Sequence, residues 1–122
     1  MGHVEIQVKL VGYKDSAIVP ATVDTGALNT TIPEKLAERI GVNITGQGWR
    51  VQADGQRVQV WEGEIPEIVL TGRSSRLTTT HLIPVDILGD EVLIGVTTLE
   101  MMGLAVDPNR NEIFVRRDTL RV

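Results

Sequence analysis

Val23-Asp24-Thr25-Gly26-Ala27 is the stretch on which the fold of this chain turns. The apolar run Ala17-Ile18-Val19-Pro20-Ala21-Thr22-Val23 enters it as a strand. A helix follows: Pro33 suits the first helical position, Leu36 and Ile40 share a face, and Gly41 closes the end. An acid, a small hydroxyl and a glycine between a strand and a helix are also ordinary turn composition. Asp takes a local hydrogen bond there and Gly supplies φ > 0. The tripeptide alone therefore leaves a plain turn and a chemical site both open, and the surroundings decide.

Working outward, Val4, Ile6, Val8 and Leu10 alternate with Glu5, Gln7 and Lys9, the period of a half-buried strand, and residues 12–16 read as a turn. Downstream, Gly46-Gln47-Gly48 reads as a loop. Residues 49–61 read as a hairpin, with Val51, Val58 and Val60 around a turn at Ala53-Asp54-Gly55-Gln56, where Asp-Gly is a favoured turn pair. Further strands are expected over 64–70, 77–85 and 92–94, the first two separated by Gly72-Arg73-Ser74-Ser75. Thr97-Thr98-Leu99-Glu100 fits a capping box that starts a short second helix at Thr97, with Gly103 ending it. Leu104-Ala105-Val106 and Ile113-Phe114-Val115 flank the turn 107–111 as a last hairpin. Many short strands with two short helices predict an all-β, closed or sandwiched architecture.

At 122 residues, 42% apolar and 23% charged, the chain has the size and balance of a single globular domain, 1–122. It has no cysteine, which removes disulfides, thiolate nucleophiles and cysteine metal sites. A net charge of -4, from 12 basic and 16 acidic residues, argues against a protein that binds nucleic acid by neutralising phosphates. No apolar run reaches the ~18 residues a membrane span needs, and neither end shows a signal peptide or lipidation motif. The expectation is a cytoplasmic protein with no membrane partner.

The combination of motifs resembles the retropepsin-like aspartic proteases. It consists of Val23 to Ala27 with Thr30 beyond, then Val92-Leu93-Ile94-Gly95 followed by Leu99 and Gly103, with the Ala53-Asp54-Gly55 hairpin between them. The likeness orders residues 17–107. It is nearest to small archaeal and bacterial clan AA proteins, which carry a helix like Ile32-Pro33-Glu34-Lys35-Leu36-Ala37 after the Asp-Thr-Gly. The resemblance implies a single-lobed, retropepsin-like closed β-barrel, the acid protease fold, with a hairpin flap over the substrate. It implies an aspartic endopeptidase that needs neither cofactor nor metal and cuts a peptide or protein.

That chemistry uses one water held between two carboxylates. Close like charges do not both ionise, so the pair shares a proton: one carboxylate takes a proton from the water while the acid form polarises the scissile carbonyl. Asp24 is the expected acid/base, Thr25 the residue that locks the two loops together, and Gly26 and Ala27 the small residues that let substrate backbone approach. Ala53, Asp54 and Gly55 are the expected flap tip over the substrate. Only one Asp-Thr-Gly is present, and Asp54, Asp86, Asp90 and Asp107 do not repeat its context; Asp86 and Asp90 read as flanking a loop. The second carboxylate is then Asp24 of a second copy across a two-fold axis, which makes the protein an obligate homodimer. An acid-leaning optimum is expected. The alternative is a non-catalytic peptide-binding or dimerisation module on the same fold.

The sequence departs from viral relatives at two places. Leu28 and Val96 stand where those carry an acid–base pair, a swap that costs little because apolar residues can replace a buried ion pair. Asp54 puts a charge at a flap tip that is uncharged in those relatives. Elsewhere, His3 and His81 lack partners at metal-ligand spacing. Trp49 and Trp61 bracket the hairpin as packing at its base, Met101 and Met102 fill core and interface, and Arg110, Arg116, Arg117 and Arg121 form a solvated strand face. No Gly-x-Ser-x-Gly is present, so a serine-hydrolase elbow is absent.

Overall fold

The computed structural model describes residues 4–71, 77–79 and 81–116. The alternation at the start forms β1 (Val4–Val11), which pairs antiparallel with β2 (Ser16–Val23) from Val4↔Val23 to Val11↔Ser16. Val4, Val8 and Leu10 turn inward, and Glu5, Gln7 and Lys9 face solvent. After the Asp-Thr-Gly loop comes β3 (Thr30–Ile32), a fully buried strand too short to be visible as a pattern. Helix α1 (Glu34–Ile40) follows, with Pro33 at its N-cap in extended backbone rather than inside the helix, and Gly41 left-handed at φ 80 as its C-cap.

The hairpin is longer than expected, made of β4 (Asn43–Val51) and β5 (Arg57–Ile65). Gly46-Gln47-Gly48 lies inside β4 and not in a loop, just after a bulge between Ile44 and Gly46. The ladder to β5 overrides glycine's poor strand preference, because tertiary pairing outweighs propensity. The strand expected over 64–70 breaks at Pro66, which has no N–H to give. β5 stops at Ile65, and β6 (Glu67–Leu70) moves across to pair with β1. The strand expected over 77–85 is two: β7 (Leu77–Thr78), paired with β6, and β8 (Ile83–Ile87), paired with β5 and β3. The turn expected at 72–75 lies outside the described residues.

Then come β9 (Leu93–Ile94), α2 (Val96–Met101), β10 (Leu104–Asp107) and β11 (Glu112–Val115), the last two forming the expected hairpin. Helix α2 starts one residue early, at Val96, with Gly95 as N-cap and no side-chain cap bond. The capping box at Thr97 therefore does not form; main-chain groups described below take its place. Gly103, at φ 70, ends the helix as expected.

Among the described residues, nine strands form one sheet in the order β4-β5-β8-β3-β9-β2-β1-β6-β7. Ile65 of β5 and Ile68 and Leu70 of β6, from opposite parts of that order, belong to one buried cluster with Val8, Leu10, Ile32, Ile83 and Ile94. A flat sheet cannot bring such distant strands into one core, so the sheet wraps around it. The fold is all-β with two short helices. None of the described helices is long and apolar enough to cross a membrane.

Candidate active site

The Asp24 loop owes its shape to a strand that does not follow it in sequence. β2 and β3, which it joins, are not neighbours: β9 lies between them, parallel to β2 through Thr22↔Leu93 and Val23↔Ile94, and antiparallel to β3 at Thr31↔Leu93. Residues 24–29 therefore bridge over the end of β9. Asp24 N–H donates to the Ile94 carbonyl at 2.9 Å, and Ala27 N–H to the Asp24 carbonyl at 3.2 Å.

The side chain of Asp24 obeys both meanings of the tripeptide. Its Oδ1 accepts from Gly26 N–H at 2.9 Å, the local bond a turn would use. Oδ2 has no partner among the described residues, and the carboxylate lines a cavity of about 500 Å³. Gly26, Ala27 and Leu28 line the same cavity, Leu28 at its rim with 71% of its surface exposed, while Thr25 is exposed outside it.

The back of the loop is fastened to α2. Val96 N–H donates to the Ala27 carbonyl at 2.9 Å, and Thr97 N–H to the Leu28 carbonyl at 3.0 Å. These are first-turn N–H groups that a helix cannot satisfy internally, and the loop carbonyls replace the missing side-chain cap. Gly95 permits this approach: a Cβ there would lie 2.5 Å from the Asn29 carbonyl carbon and 2.8 Å from the Leu28 oxygen. Beneath, Thr30 Oγ1 accepts from Gly95 N–H at 3.1 Å and lies 2.7 Å from Thr98 Oγ1, with both threonines fully buried. The motif had singled out Thr30. Thr98, its partner, was hidden inside the supposed capping box.

The hairpin supplies the opposite side of the cavity through Val51, Gln52 and Ala53. Asp54 and Gly55 do not line it. The tip closes by Gly55 N–H to the Gln52 carbonyl at 2.9 Å and Gln52 N–H to the Gln56 carbonyl at 2.8 Å, with Gly55 at φ 85. Asp54 Oδ1 accepts from Gln56 N–H at 2.9 Å, so the acid at the hairpin tip caps the turn itself. Of the expected substrate-binding residues, the structure brings Ala27 and Ala53 to one cavity with Asp24 and leaves Asp54 and Gly55 at its outside.

A charged group absent from the sequence reading completes the cavity. Asp86 is not beside a loop: it lies within β8, 4% exposed, and takes a two-pronged bond from Arg50 of β4. Arg50 also donates to Glu62 of β5 at 2.6 Å. The hydrogen bond from Asp86, then that from Glu62, holds the Arg50 guanidinium in its charged form still more firmly than usual. The signal was present as an acid within the apolar run Ile83-Pro84-Val85-Asp86-Ile87, but its partner is distant in sequence. Trp49 and Trp61 are both about half exposed and line no part of this cavity; Arg57 lies over the Trp49 ring at 4.9 Å. Met102 is buried in the core and Met101 packs against it. His81 and Arg110 are exposed, whereas His3, Arg117 and Arg121 lie outside the described residues.

Comparison with known proteins follows the same lines. The chain is similar in structure to the retroviral protease-like domain of Ddi1 from Leishmania major, at a TM-score of 0.61 and 19% identity, over 96% of this chain and 90% of that one. It is also similar to a retropepsin-like aspartic protease from Rickettsia conorii, at a TM-score of 0.57 and 19% identity, over 87% and 77% of the two chains. At such identity these likenesses show the fold. No curated protein matches the chain significantly. The family model described as "gag-polyprotein putative aspartyl protease" matches residues 11–101, three quarters of the length, and the chain belongs to that family of retropepsin-like aspartic proteases.

Proposed function

We propose that the chain is an aspartic endopeptidase whose active unit is a homodimer, each copy contributing one lobe (1–122) and one Asp24. The observation that carries this is the state of the Asp24 carboxylate. One oxygen is pinned by Gly26 N–H, and the other lacks a partner among the described residues and opens into a cavity faced by the hairpin.

In the dimer, one Asp24 is ionised and its counterpart protonated. The ionised carboxylate accepts a proton from the shared water, whose oxygen bonds to the scissile carbonyl carbon. The protonated carboxyl gives its proton to the carbonyl oxygen, forming a neutral gem-diol. Collapse breaks the C–N bond as the newly protonated Asp24 gives its proton to the amine nitrogen and the ionised one takes a proton from a gem-diol hydroxyl, so the pair regains its starting state. Thr25, exposed in the single chain, bonds across the two-fold axis to the opposite loop. Gly26 and Ala27 receive the substrate backbone, and Val51, Gln52 and Ala53 cover it. A cytoplasmic setting completes the proposal, supported by the absence of cysteine.

The test offers a mixed peptide library to wild type and to Asp24→Asn at acidic and neutral pH. Product from the wild type alone is expected. Equal product from both, or none from either, removes the catalytic claim and favours a binding module.

A further inference from the structure

The Asp24 cavity has a second end with different chemistry. Arg50 Nε–H and Nη2–H donate to the two oxygens of Asp86, both at 2.8 Å. Nη2 also donates to Glu62 Oε2 at 2.6 Å, and Nη1 to the Trp49 carbonyl at 2.9 Å. Four of the five guanidinium N–H bonds are thereby used, and the fifth, on Nη1, has no partner among the described residues.

This cluster is a built wall and not a loose surface pair. Asp86 is buried and cannot lose Arg50 without stranding its charge. Gly48 is shaped around it: a Cβ there would lie 2.8 Å from both Arg50 Nη1 and Glu62 Oε2. Thr31, paired with Asp86 across β3 and β8, and Asn29 line the same cavity, and neither side chain hydrogen-bonds another described residue. Leu88 and Leu93 supply apolar surface beside them.

The occupant follows by elimination. In the lining, Arg50 and Asp86 cancel, and Asp24 adds a carboxylate to the same cavity that disfavours another one. A lysine or arginine would face the Arg50 guanidinium, with both Asp86 oxygens already bonded. An aliphatic side chain would displace water from Arg50 Nη1–H, the Thr31 hydroxyl and the Asn29 amide, and give nothing back. A neutral side chain with donor, acceptor and an apolar stem satisfies all of them. We propose that this end of the cleft is a substrate subsite selective for asparagine and glutamine, set by Arg50, Thr31 and Asn29. In a two-fold dimer it occurs twice, once on each side of the scissile bond. As a determinant of cleavage it rests on the protease assignment; as a binding preference it does not.

The experiment has two arms. Cleavage products of a degenerate peptide library by wild type are sequenced, and peptides retained by Asp24→Asn are recovered and sequenced. Asparagine and glutamine are expected at one position on each side of the cut, enriched about tenfold over valine and leucine, as one lost hydrogen bond predicts. Thr31→Val, which keeps side-chain volume, should move that preference toward aliphatic residues. An aliphatic or acidic preference in wild type, or an unchanged preference in Thr31→Val, overturns the subsite. Selective retention by Asp24→Asn without cleavage by wild type keeps the subsite and sinks the protease. Cleavage without positional preference does the reverse, and neither cleavage nor retention sinks both.

Discussion

Replacing Thr30 by valine tests how the Asp24 loop is held. The two side chains have nearly the same volume, so no cavity opens. Two polar groups lose their partner: Gly95 N–H, 3.1 Å from Thr30 Oγ1, and the Thr98 hydroxyl at 2.7 Å. Both lie where water does not reach, since Thr30 and Thr98 have no exposed surface. An unsatisfied buried group costs ~1–3 kcal/mol, so Thr30→Val should destabilise by about 3 kcal/mol. With an unfolding entropy near 2.1 cal/mol/K per residue, the 122 residues give about 0.26 kcal/mol/K, and Tm should fall by about 12 °C. Thr98→Val removes only one of the two bonds and should cost about 1.5 kcal/mol. The double variant strands Gly95 N–H alone, so its loss of about 2 kcal/mol should be well under the sum of the singles. Urea unfolding followed by far-ultraviolet circular dichroism, at one fixed protein concentration because the proposed dimer would add apparent stability, measures all four proteins. Strict additivity, or a Thr30→Val protein within about 0.5 kcal/mol of wild type, would refute the proposed hydrogen-bond network.

Other substitutions probe the remaining contacts. Gly95→Ala drives a Cβ to 2.5 Å from Asn29 backbone, and should cost about 3 kcal/mol and abolish peptide cleavage. Gly55→Ala, at φ 85 with open space around it, should cost only about 1 kcal/mol by thermal unfolding. Arg50→Met strands the buried Asp86 carboxylate and should cost about 2–3 kcal/mol near neutral pH. Asp86→Asn leaves Arg50 with Glu62 and some access to water, so its cost should be smaller. Leu28→Glu, read by sedimentation velocity, should shift the protein toward monomer and lower activity at dilute concentration.

What the sequence disclosed follows the range of the forces involved. Period-two alternation announced β1, an apolar run announced β2, and Asp-Gly announced the hairpin turn, because each depends on neighbours in the chain. β3 was harder to see. It is three residues long and owes its existence to parallel pairing with β8 rather than to propensity. Gly46 and Gly48 misled for a related reason. Glycine in isolation suggests a loop, but here it clears space for the Arg50–Glu62 pair on the strand face. The capping box at Thr97 was a local motif overridden by a better partner, since the carbonyls of the Asp24 loop reach the helix N–H groups first. Asp24 was singled out by its tripeptide together with the motifs around it. Arg50 and Asp86 were not, because nothing local joins β4 to β8.

The same contacts bear on why the loop is one-sided. Its main chain is tied back on the inner side, to Ile94, Val96 and Thr97, leaving Thr25, Gly26 and Leu28 exposed. A loop bearing a general acid/base needs such fixation, because a small displacement of the carboxylate is expensive in rate. It does not need an apolar residue facing water. Fully burying a leucine side chain is worth ~1.5–3 kcal/mol, and Leu28 at 71% exposure forgoes most of that in the single chain. A two-fold partner docking on the Asp24 loops would recover it twice, once in each copy. It would also bring the two Asp24 carboxylates together. The residue that stands where viral relatives carry a charge would then drive association by burial instead of ion pairing. High salt should accordingly leave the dimer intact where it would weaken a salt-bridged one, and a salt titration of the sedimentation coefficient decides between the two.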